Sequence, residues 1–164
     1  MQEKPISDLE PGSGLDSGLD PRPDWIKNNE VGKGRIEYEG RDYFYTILDS
    51  KVQPKLPGFL GYPDGENLFI SEGVPEEFRD PQLIHEIIEY TELKGKEGRC
   101  LEALRRELEI AREKFEEEKY LEYLEYRRNF FAKLVDYYKE SSDEGFKTEI
   151  RRSYEYLEKI LEKK

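Results

Sequence analysis

One stretch of the 164-residue chain carries residue types spaced for metal chemistry: Leu83-Ile84-His85-Glu86-Ile87-Ile88-Glu89-Tyr90. On a helix, residues four apart lie on one face about one turn apart. His85, the sole histidine, and Glu89 therefore have the spacing by which one helix offers two ligands to one zinc ion. Glu86 projects about 100° further round the axis, where its carboxylate would meet a water beside the ion rather than the ion itself. The string reads His-Glu-x-x-Glu, with a carboxylate where a second imidazole is common. That donor is harder and more anionic, and zinc accepts it.

A third ligand is required. Cys100, the only thiol, stands eleven residues beyond Glu89, with Ala103 and Glu107 at +3 and +7 on the same helical stripe. A short turn around Gly95 and Gly98 would fold that second helix back antiparallel to the first. Either Cys100 as thiolate or Glu107 as carboxylate would then face the first pair, and a small Ala103 would permit close approach. A helix N-terminus also lowers a thiol pKa, which favours the ligating thiolate. Plainer readings compete. A lone histidine commonly sits on a helix surface paired with Glu89 or Glu92, and a lone cysteine is commonly a small buried apolar residue.

The elements that must position these groups are legible in outline. Arg35-Ile-Glu-Tyr38 alternates, Glu39-Gly-Arg41 supplies a turn, and Tyr43-Phe-Tyr-Thr-Ile-Leu48 is rich in β-formers, which predicts a hairpin. Pro54 to Gly65 is dense in Pro and Gly and reads as a loop. A short third strand over Asn67 to Ser71 follows. From Asp80 onward the pattern is helical, with Asp80-Pro81 as a start signal. Leu101, Leu104, Leu108, Ala111 and Phe115 mark the second helix. A third runs from Leu121 to Tyr138, and a last one begins after Ser141-Ser142-Asp143. The tyrosines of this half, among them Tyr120, Tyr123 and Tyr126, read as packing groups with hydroxyls at the surface. The fold expected is α+β: a small antiparallel sheet, a helix pair carrying the candidate ligands, and C-terminal amphipathic helices.

This arrangement resembles the small zincin-like metallopeptidases, of minigluzincin size. In some of them the helix reads His-Glu-x-x-Glu, and the next helix carries His, where this chain has Cys100, then Ala at +3 and Glu at +7. That pattern falls here on His85, Glu86, Glu89, Cys100, Ala103 and Glu107. Pro57-Gly-Phe-Leu-Gly-Tyr-Pro-Asp64 and the third strand resemble the loop and strand that precede that helix in the family. The resemblance covers roughly residues 35–112. It implies a zinc hydrolase with His85, Glu89 and Cys100 or Glu107 on the metal and Glu86 as the base. It also implies that the edge strand Leu68-Phe-Ile70 takes an extended peptide by strand addition. The second function to weigh is a non-catalytic scaffold or interaction module, with the C-terminal helices as the binding surface or as the contact in a homo-oligomer.

Composition sets the remaining bounds. Lys and Arg number 27 against 38 Asp and Glu, a net charge of −11 that repels phosphate backbones and anionic membranes, so neither nucleic acid nor membrane is an expected partner. One cysteine excludes an intrachain disulfide framework and a four-thiolate zinc site. No apolar run is long enough to span a bilayer, and Met1 to Pro11 lacks the apolar region of a signal peptide, so the cytoplasm is the expected compartment. Many Glu and Lys beside only 3 Gln and 4 Asn point to a thermophilic source. By these readings residues 1–22 form a disordered leader, 23–112 the zincin-like core, and 113–164 a helical extension packed on that core or on a partner.

Overall fold

The computed structural model describes residue 22, residues 24–52 and residues 68–164. The expected loop from Pro54 to Gly65, Asn67, and the leader apart from Arg22 lie outside the described residues. A helical turn α1 (Asp24–Lys27) precedes strands β1 (Glu30–Tyr38), β2 (Arg41–Leu48) and β3 (Leu68–Ser71). Helices α2 (Arg79–Tyr90), α3 (Arg99–Lys114), α4 (Glu117–Tyr137) and α5 (Glu144–Glu162) follow. The α+β class is as expected.

The hairpin closes at Glu39-Gly40, where both residues take positive φ (53° and 78°) and the turn twists with the strands. Within it, the ring of Tyr45 lies across Gly34 so closely that a Cβ there would stand 2.2 Å from the ring. The sheet order is β1-β2-β3, with β1 and β2 antiparallel but β2 and β3 parallel. The expected antiparallel sheet is thus corrected to a mixed one. Strand direction is not written in a strand's own composition. The chain between Leu48 and Leu68 is long enough for the crossover that parallel neighbours require.

β3 is buried on both faces. Leu68 and Ile70 join Ile36 and Tyr43 in the main core, whereas Phe69 points the other way onto Ile26 and Leu48. Trp25 of α1 covers this smaller cluster, its ring 5.8 Å from that of Phe69. Arg22 is fixed there too, donating to Glu30 at 2.6 Å and to the Thr46 hydroxyl at 2.9 Å.

Helix α2 buries Leu83, Ile84, Ile87 and Ile88 in the main core that it shares with the sheet and α3. It begins one residue before the expected cap, after a 3₁₀ turn over Glu76–Phe78. Asp80 does not cap it, and its carboxylate instead meets Lys114 Nζ at 3.1 Å. The helix ends at Tyr90, and the return to α3 uses Gly95 and Gly98 at φ 79° and 69°. α5 begins where Asp143 accepts from the Phe146 amide at 3.0 Å. One hydrophobic cluster runs from Ile36 of the sheet to Leu157 of α5, so the helices beyond residue 112 are continuous with the core.

Candidate metal centre

Helices α2 and α3 pack so that His85 meets Glu107 while Glu89, one turn later, meets Cys100. This is the antiparallel return expected from the short connection. One atom each of His85, Glu89 and Cys100 lies within 4.8 Å of the other two. His85 Nε2 and Glu89 Oε2 are 3.5 Å apart. Donors bound to one tetrahedral zinc at about 2.0–2.3 Å stand roughly 3.5 Å from one another, so the cluster needs only a small contraction to grip an ion. A nitrogen, an oxygen and a sulfur donor together suit zinc. The residues present fit the metal.

Glu107, expected as an alternative third ligand, stands elsewhere. It is fully buried, and both its oxygens are occupied. Oε1 accepts from His85 Nδ1 at 2.7 Å and from Arg127 Nη2 at 2.9 Å. Oε2 accepts from Arg127 Nε at 2.7 Å and from the Tyr123 hydroxyl. Glu107 therefore stands behind the ring, on the side away from Glu89. Burial alone would raise its pKa, but the Arg127 charge and the bonds to His85 and Arg127 outweigh that and lower it. An ionised Glu107 can only accept, so the proton of the ring sits on Nδ1 and Nε2 is left to face Glu89 and Cys100.

The plainer reading of His85 is half met: it pairs with Glu89 as that reading expected, but it is 3% exposed rather than on the surface, and Glu92 pairs with Arg106 instead. Burial works against an imidazolium here. The Glu89 charge and hydrogen bonds to Cys100, Glu107 and Glu89 more than compensate, and they hold the His85 pKa well above the ordinary 6.5. Glu86 is not one of the three converging donors. Burial first, then the Glu89 charge, push its carboxyl well above the usual range, and it hydrogen-bonds Glu89. Glu89 goes the other way. Burial would raise it, but His85 and Arg99 draw it down.

These shifts fix the pH response of the metal-free protein. A raised folded pKa gives stability that is present below the unfolded value and lost as pH climbs through the folded one. Glu86 loses its share from about pH 4.5 upward and His85 from about 6.5 upward. In chelator, the melting temperature should therefore fall as pH rises above 6.5. With zinc present the slope should weaken or reverse, because the metal takes the place of the proton on His85. A thermal scan from pH 5 to 9, with and without zinc, reads both. Identical slopes in the two series would refute the assignment.

Helix α5 also reaches the cluster. Ser153, fully buried, places its hydroxyl 3.5 Å from Cys100 Sγ, and Glu149 accepts from the Cys100 amide at 3.4 Å. Neither residue was foreseen from sequence, nor were Gln82, Tyr123 and Arg127. Tyr123, expected to show its hydroxyl at the surface, is fully buried and spends it on Glu107. A signal for Arg127 did exist. It falls on the apolar stripe of α4 with Tyr120, Tyr123, Leu124 and Phe131, a place where a charge requires a buried partner. Compared with protein-family models, with curated proteins and with solved structures, the chain finds no match in any of the three.

Proposed function

We propose that His85, Glu89 and Cys100 hold one zinc ion and that Glu86 serves it as general base, making the chain a small hydrolase of the zincin-like type. The observation that carries this reading is the convergence of three unlike donors from two helices, with the far nitrogen of the imidazole already held by Glu107. Zinc so placed supplies a polarised, readily ionised water near neutral pH. Glu86 stands one residue from His85, and a carboxyl whose pKa is raised by burial and by Glu89 is a stronger base, once ionised, than an ordinary carboxylate. After burial, the Glu89 charge is the main cause of that shift, so a cation held by Glu89 would leave Glu86 freer to ionise and to take the proton of the water. An extended peptide is the substrate class proposed, paired along β3, which is the edge of the sheet among the described residues.

A second reading has its own support. His85 is nearly inaccessible, and Ser153 of α5 leans on Cys100, as in a closed centre that pins helices together. The chain would then be a scaffold, paired with itself or a partner through the C-terminal helices, where Tyr137 and Phe146 are exposed. Among the described residues no helix is long and apolar enough to cross a membrane, and the proposed compartment is the cytoplasm. Metal analysis of protein purified without added zinc is the first test. About one equivalent is expected, and none would remove the metal reading. Cleavage of an unfolded protein substrate by the zinc-loaded chain then separates hydrolase from scaffold.

A further inference from the structure

We infer that Arg127 of α4 is a positioning residue for the metal centre, setting the ring of His85 through Glu107 although it touches no ligand itself. The inference rests on the zinc reading and extends it to a third helix. Arg127 is 1% exposed, among the most buried charges a protein holds. Its Nε and Nη2 grip the two oxygens of Glu107 as a fork, at 2.7 and 2.9 Å. Its Nη1 donates to Gln82 Oε1 at 3.3 Å, and Gln82 Nε2 in turn donates to the Phe78 carbonyl at 2.8 Å. The rings of Phe130 and Phe131 lie 4.9 and 5.0 Å from its guanidinium carbon.

The result is an unbroken chain of contacts from the backbone before α2, through α4 and α3, to His85 Nδ1. Every link restricts rotation. The planar fork fixes the plane of the Glu107 carboxylate, and the carboxylate fixes which imidazole nitrogen carries hydrogen. A single donor in place of the fork would let Glu107 swing, and with it the ring. Without Glu107 the ring is also free to carry its proton on Nε2, the nitrogen the metal needs. Outer partners of this kind are typically worth 10–100-fold in metal affinity.

The test is zinc affinity by chelator competition, with the visible spectrum of the cobalt-loaded protein as a readout of ligand geometry. Three proteins are compared: the full-length parent, Arg127→Lys, and the apolar replacement Glu107→Leu/Tyr123→Phe/Arg127→Met. Lysine keeps the charge and loses the fork. The apolar variant removes both network charges and the Tyr123 hydroxyl together, at the cost of the partners of His85 Nδ1 and Gln82 Oε1, and its chelator-treated melting temperature reports folding separately. Zinc affinity should fall about 10–100-fold in the apolar variant and at least several-fold in Arg127→Lys, with altered cobalt spectra in both. A parent that binds no zinc overturns the metal reading itself. A parent that binds, with both variants within threefold of it, overturns only the role of Arg127. Should the apolar variant fail to fold, Arg127→Lys decides alone by the same threshold.

Discussion

Glu86→Gln is expected to keep about one equivalent of zinc and to lose hydrolysis by about 10²–10⁴-fold. The substitution preserves size and hydrogen bonding while removing a carboxylate that adjoins the cluster without being one of its three converging donors and, unlike Glu107, is not forked by Arg127. Burial and Glu89 raise the Glu86 carboxyl well above its usual pKa, so its surroundings disfavour a negative charge and a neutral amide of the same shape fits them. Folding should therefore be little disturbed, and the metal-free variant should match or exceed the parent's melting temperature above pH 6.5. Glu89→Gln should behave in the opposite way. It removes an anionic ligand 3.5 Å from His85 Nε2, so zinc should go first and activity with it. The paired result matters more than either alone. If Glu86→Gln loses zinc while Glu89→Gln retains it, the two carboxylates exchange roles. If zinc-loaded parent and Glu86→Gln are equally inert toward unfolded protein, the scaffold reading takes over.

The helix carrying these groups was legible because its signals are local. Spacing within Leu83 to Tyr90 places His85 and Glu89 on one face whatever surrounds them, and the Gly95–Gly98 turn leaves the next helix little choice of direction. Cys100 reached the cluster for the same reason. Glu107 shows where local reasoning stops. It lies on the correct face of α3 and within reach of His85, yet whether it binds metal or holds the ring depends on what occupies its other oxygen. Arg127 and Tyr123 do so from α4, twenty and sixteen residues further on. No spacing within α3 encodes that partnership. The sheet teaches the same point, since the hairpin follows from its turn residues while the direction of β3 depends on a crossover whose course is not a local property.

Arg127→Met alone should be among the most destabilising substitutions in the chain, and more so than removal of the whole network. Breaking a buried ion pair by deleting one partner leaves the other charge without compensation, at a cost of about 3–5 kcal/mol. Glu107 would keep only His85 and Tyr123 as donors in a site with no access to water. For a protein of this size the loss corresponds to a melting temperature lower by about 6–20 °C. Replacing Glu107, Tyr123 and Arg127 together by apolar residues of similar volume removes the desolvation cost along with the attraction, and such replacements are often neutral or better. The single variant should therefore melt below the triple one, in chelator, at pH 7. That ordering is diagnostic, because ordinary packing losses accumulate with the number of residues changed. A single variant within about 1 kcal/mol of the parent would mean that water or rearrangement satisfies Glu107, and that the carboxylate behind His85 is less firmly held than its contacts indicate. If the ordering holds, a network that adds little net stability persists in the core of α2, α3 and α4. Its effect must then be sought in what it holds still, and the group at its end is His85.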